Sequence, residues 1–113
     1  MAVTGLRLLL TGRRANRCRR PATSEVGHRW WVYQAEASGP LRASAREVRA
    51  PRWIHPGQLQ QYAQRTAAHA DGRLSEHEFA QEPGLEPVWV RLLHDLQLVT
   101  MSGDALAWID TVI

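Results

Sequence analysis

Hydrophobic positions along this chain change their spacing near its middle, and the change separates a strand-rich front part, residues 1–54, from a helical back part, residues 55–113. Within Thr4 to Thr11, Leu6, Leu8 and Leu10 alternate with the period of a strand, so the three leucines are expected on one face. His28 to Ala37 reads as a second strand, dense in Trp30, Trp31, Val32 and Tyr33. Alternation sets His28, Trp30 and Val32 on one face and Arg29, Trp31 and Tyr33 on the other, and apolar residues on both faces predict burial on both. Ser38-Gly39-Pro40 closes this strand as a turn. Glu47 to Ile54 reads as a third, weaker strand, because Pro51 cannot donate to a ladder and so belongs at an edge or a bulge.

From Pro56 the spacing becomes helical. Leu59, Tyr62, Ala63, Thr66, Ala67 and Ala70 recur about every 3.6 residues until Gly72, with Pro56 where a first turn tolerates proline. Ser75-Glu76-His77-Glu78 has the form of a capping box, and Pro83 keeps the helix that follows short. Glu86-Pro87 opens a further helix with Leu85, Trp89, Leu92, Leu93 and Leu96 on one face. Ser102 caps a last one carrying Leu106, Ile109 and Ile113. The fold class is α+β: about three strands followed by three to four helices in a single domain, residues 1–113, with no internal repeat.

Composition adds an asymmetry of charge. The 14 basic residues are all arginine, and residues 1–52 hold eleven of them against three glutamates, a net of +8. Residues 53–113 hold three arginines against eight acids, a net of −5. Five arginines, Arg13, Arg14, Arg17, Arg19 and Arg20, crowd the expected loop 12–24. Guanidinium forks bind phosphate oxygens bidentately, so the basic half points to phosphate-bearing partners, either nucleotide or nucleic acid. No apolar run approaches the ~18 residues of a membrane span, and no membrane partner is expected. The lone Cys18 excludes an internal disulfide and fits a reducing compartment, with the cytoplasm as the default. Residues 1–24 carry no acid, as in an organellar transit peptide, but the alternating leucines are those of a strand and not of a presequence helix.

Few residues combine into a reactive set. The five histidines fall in none of the HxH, HxxxH or HExxH spacings, and no metal site is assigned to them. His69 and His94 are expected in surface or capping roles. Cys18 lacks a paired base, and Ser24 stands where a cysteine-dependent phosphatase places its arginine. Aromatic residues do not interleave with the arginine run but follow it, on the second strand, where one face could stack a base while the other fills the core.

The ordered series of segments resembles the back half of a Nudix hydrolase domain. Thr4-Gly5-Leu6-Arg7-Leu8-Leu9-Leu10 is similar to the strand after the Nudix helix, and His28 to Ala35 to the strand that follows. Ser38-Gly39-Pro40-Leu41 matches a hairpin turn, and Ser44 to Ile54 is similar to the family's Glu-led stretch ending in Trp-Ile before a helix that begins at Pro or Asp. The resemblance implies a partial Nudix-like α/β/α arrangement and a nucleoside diphosphate ligand, with Glu47 as the catalytic or metal-binding acid. Arg13, Arg14, Arg17 and Arg29 are candidate phosphate contacts by their chemistry alone. The glycine- and glutamate-rich box that would hold Mg or Mn is absent: Arg46-Glu47-Val48 is followed by Arg49, Ala50 and Pro51 where further glutamates belong, and Met1-Ala2-Val3 stands where the box would just have ended. Mg or Mn is therefore expected only if the box is supplied, and the chain as given is expected to be inactive as a hydrolase. The alternative is a small non-enzymatic binding module that uses the arginine-rich loop on nucleic acid, non-specifically, or on an acidic partner.

Overall fold

The computed structural model describes residues 2–14, 28–42, 44, 46 and 51–113. Over them the order is β1 (Ala2–Arg14), β2 (His28–Ser38), α1 (Pro56–Ala70), α2 (Glu76–Gln81), α3 (Pro87–Asp95) and α4 (Gly103–Val112). The class is α+β, with β1 and β2 paired antiparallel in a two-stranded sheet. Of the expected third strand, residues 47–50 lie outside the described ones, and Pro51 to His55 run in no strand. Pro51 has no N–H to donate and Trp53 is 63% exposed, so neither ladder bonds nor burial would reward a strand there.

β1 runs beyond the expected end at Thr11. Gly12, Arg13 and Arg14, expected in a loop, instead pair with Trp30, Arg29 and His28, because β2 continues to offer ladder partners as far as its own start. β1 also carries two irregularities. Between Thr4 and Arg7, and again between Leu8 and Leu10, it spends one residue more than β2 does over the same stretch, which is the mark of a bulge. Gly5, with φ 63°, supplies the left-handed backbone at the first of these. The second changes the expected facing. Leu8 lies opposite Tyr33 and Leu10 opposite Val32, so the bulge at Leu9 sends Leu8 and Leu10 to opposite sides of the sheet.

The helices begin where local chemistry starts them. At α1, His55 Nδ1 accepts from the Gln58 N–H at 3.3 Å while Gln58 Oε1 accepts from the His55 N–H at 3.1 Å, a reciprocal cap formed by residues other than the usual Ser or Thr. At α2, Ser75 Oγ accepts from the Glu78 N–H at 3.1 Å and its hydroxyl donates to the Glu78 carboxylate at 2.9 Å, so half of the expected box forms. Ser102 caps α4 by accepting from the Ala105 N–H at 3.1 Å. Past the end of α1, Gly72 adopts φ 84°, and Asp71 accepts from the Arg73 backbone N–H and side chain. These bonds hold the Asp71 carboxyl below its usual range.

Two apolar clusters share α3. Val90 joins Ala63 and Ala67 of α1, Ile109 of α4, and Val99 and Met101 of the α3–α4 connection. On the side toward the sheet, Val88 and Leu92 pack on Val32, with Leu10, Trp30 and Leu96 around them. α3 therefore buries Val88, Val90 and Leu92 where one face through Trp89, Leu92 and Leu93 was expected, because it lies between the hairpin and the other helices. The connection to α4 is held to α1 by Gln60, whose side-chain amide donates to Thr100 O at 2.7 Å and accepts from Thr100 N at 2.8 Å.

Candidate functional site

The hairpin has one covered face and one open face. Val32 is buried against α3, and Trp30 meets Trp89 edge-on with ring centroids 5.5 Å apart. The neighbouring residues of β2 point the other way, and Trp31 is 55% and Tyr33 51% exposed. The expectation of burial on both faces is thus corrected. α3 buries the Val32 side of the two-stranded sheet and leaves about half of the Trp31 and Tyr33 surface exposed.

Register assembles the outer face from both strands. Residues opposite each other in an antiparallel pair project to the same side, so Arg13 stands beside Arg29, Thr11 beside Trp31, and Leu8 beside Tyr33. The Arg29 guanidinium lies 5.7 Å from the centre of the Trp31 ring, within cation–π range. Further along, Val3 opposite Ala37 continues the face as an exposed apolar surface. The face is therefore graded, with two guanidinium groups at one end, two aromatic rings next to them, and aliphatic side chains beyond.

Of the four candidate phosphate contacts, the fold brings Arg13 and Arg29 together on this face and places Arg14 one residue on, opposite His28. Arg17 lies outside the described residues, as do Cys18 and Glu47. In sequence, Arg17, Arg19 and Arg20 belong to the connection between Arg14 and His28, the strand ends that carry the arginine pair. Leu8 was missed as a neighbour of Tyr33, since the bulge that turns it outward leaves no trace in the alternation of β1.

His69 pairs with Glu76 at 2.7 Å and stacks on Phe79, the surface role expected of it. His94 has a buried Nδ1 without a hydrogen-bond partner. The Mg or Mn implied by the resemblance needs a cluster of ligands, and among the described residues no group of three or more His, Cys, Asp or Glu side chains could hold a metal ion. No helix of the described residues is long and apolar enough to cross a membrane. Comparison with protein-family models, with curated proteins and with solved structures finds no match to this chain.

Proposed function

We propose that this chain is a non-enzymatic binding module whose open hairpin face takes single-stranded nucleic acid. Bases stack on Trp31 and Tyr33, and the Arg13–Arg29 pair takes the phosphate beside them. The observation that carries the reading is the cross-strand register, which sets both guanidinium groups next to the two exposed rings on one face. Every base has a π-face, so such a platform is tolerant of sequence, and the arginines make binding depend on salt. Duplex, whose bases are already stacked, offers this face only its phosphates. A reducing compartment such as the cytoplasm accords with the lone cysteine.

The test is a salt titration. Each phosphate neutralised on a single strand contributes about −0.7 to the slope of log K against log salt. Replacing Arg13 and Arg29 together with glutamine removes one phosphate contact and is expected to flatten that slope by about 0.7 for a fluorescent oligonucleotide. An unchanged slope would remove the pair from the interface.

A second reading, a Nudix-type domain acting on a nucleoside diphosphate linked to another moiety, is supported by α1 starting at Pro56, one residue (His55) beyond Trp53-Ile54, the order the resemblance implies. Its proposed acid is Glu47, with Mg or Mn held once the missing box is supplied. The chain as given is expected to show no Mg- or Mn-dependent hydrolysis of ADP-ribose above a protein-free control. Binding substrate without preferentially stabilising the transition state does not raise kcat. Robust turnover that Glu47→Gln abolishes would favour the hydrolase over the binding module.

A further inference from the structure

A cavity of about 460 Å3 opens between α1, α2 and the segment that leads into α3, and its walls are held in place from several sides. Thr66 of α1, nearly fully buried, donates its hydroxyl to Leu85 O at 2.8 Å and accepts from Leu85 N at 2.8 Å. Gly84 approaches α1 so closely that a Cβ there would meet Thr66 Oγ1 and, at 2.5 Å, the Tyr62 carbonyl oxygen. Arg65 ties the same segment down by donating to Glu82 O at 2.7 Å and to Glu78 O at 3.0 Å. On the α2 side, the His69 and Phe79 rings stack with centroids 4.3 Å apart and planes 9° from parallel, and Glu76 holds the imidazole. Hydrogen bonds, a close backbone contact and a ring stack thus define the space, which no loose segment needs to reshape.

Its chemistry is uneven. Ala70, Phe79, Leu85 and Val112 make the lining mainly apolar, and no arginine contributes to it. Glu86 stands at the rim as the N-cap residue of α3, and its carboxylate makes neither a capping bond nor an ion pair among the described residues. The helical part around it carries a net charge of −5, from three arginines against eight acids in residues 53–113. We infer that this cavity is a small-molecule site for an amine on an apolar, ring-sized body, the ring against Phe79 and Leu85 and the ammonium group at Glu86. Pockets for such ligands have this size and this ratio of apolar wall to a few placed polar groups. A fixed wall lowers the ordering cost of binding. The site is independent of the hairpin face.

Phenethylamine, phenylacetate and 2-phenylethanol share one body and differ in charge, and amide NMR shifts of the full chain report where each binds. Phenethylamine is expected to bind with a Kd on the order of 1 mM, perturbing Ala70, Phe79 and Leu85, and about tenfold more tightly than phenylacetate. Glu86→Gln should weaken the amine about fivefold, the worth of an exposed ion pair, and leave 2-phenylethanol unchanged. Ala70→Leu, which fills the cavity, should abolish the shifts for all three. Phenylacetate binding as well as the amine, shifts elsewhere in the chain, or an amine affinity indifferent to Glu86→Gln would each overturn the inference. Glu86 is exposed and its side chain makes no capping bond, so this variant keeps the fold and decides the matter even if Ala70→Leu unfolds.

Discussion

Leu92→Ala is expected to lower the unfolding free energy by about 3 kcal/mol, within the range of about 2 to 5 kcal/mol for leucine truncation in a packed core. Leu92 is 1% exposed and, with Val88, touches Val32 across the boundary between helix and sheet. Among the described residues the cluster on that boundary has three buried side chains, so the cavity left by the missing atoms has few neighbours able to close it. Small domains hold only about 5 to 15 kcal/mol in total, which makes the loss a large share of the whole. The same variant should release the hairpin: the near-ultraviolet signal of the Trp30–Trp89 pair should decline at lower denaturant concentration than the helical signal at 222 nm. Ile109→Ala, in the other cluster, should lose both signals together. A loss below about 1 kcal/mol for Leu92→Ala, with coincident transitions, would mean that α3 does not hold the sheet.

The helices were legible because their signals are local. Pro56, Ser75, Ser102 and the recurrence of Leu59, Ala63, Thr66, Ala67 and Ala70 act within a few residues, and each works largely regardless of what packs outside the helix. The two-sided burial of α3 was not legible. Val88, Val90 and Leu92 are apolar in any arrangement, and which of them is covered depends on the hairpin and on α1 and α4 arriving from opposite sides. The His55–Gln58 cap also escaped notice, since it uses an imidazole in place of a hydroxyl to accept the same backbone N–H.

The sheet shows a sharper limit. Alternation correctly divided Trp30 and Val32 from Trp31 and Tyr33, but it cannot say whether a second layer covers a face, and here the outer one is open. Equal spacing placed Leu6, Leu8 and Leu10 together, whereas the bulge at Leu9 separates Leu8 from Leu10, and a bulge is defined by the partner strand. The sequence places Arg13 and Arg14 in a loop because Gly12 and Pro21 punctuate that stretch. Ladder pairing with β2 instead carries Arg13 and Arg14 to the end of the strand, and this sets Arg13 opposite Arg29. The Glu86 cavity was equally invisible, as it depends on Gly84 meeting α1 more than fifteen positions away in the chain.

Trp31→Ala is expected to reduce affinity for a single-stranded oligonucleotide about tenfold, since a base stacked on an aromatic side chain is worth about 1 to 3 kcal/mol by alanine substitution. Trp31 is half exposed on a face where Thr11 stands opposite and Tyr33 is the next ring along the strand, about 7 Å away at two residues' rise. It contributes nothing to the cluster formed by Val32, Val88 and Leu92, so its removal should leave stability nearly unchanged. Trp108, 48% exposed on α4, is of the same type and similar exposure but belongs to no proposed contact, and Trp108→Ala should leave affinity as it was. Trp31→Phe should keep most of the binding, because the ring and not the indole N–H supplies the stacking surface. The salt slope separates the two contributions. Removing the ring lowers affinity at every salt concentration without altering the slope, whereas removing the arginines flattens it. The Trp31 variant should also lose the part of the fluorescence quenching that binding produces in the native chain, while the Trp108 variant retains it. Equal affinity for Trp31→Ala and the native chain, measured on the same oligonucleotide, would mean that nucleic acid does not lie on the open hairpin face, and the arginine pair would then be acting on an anion without a base.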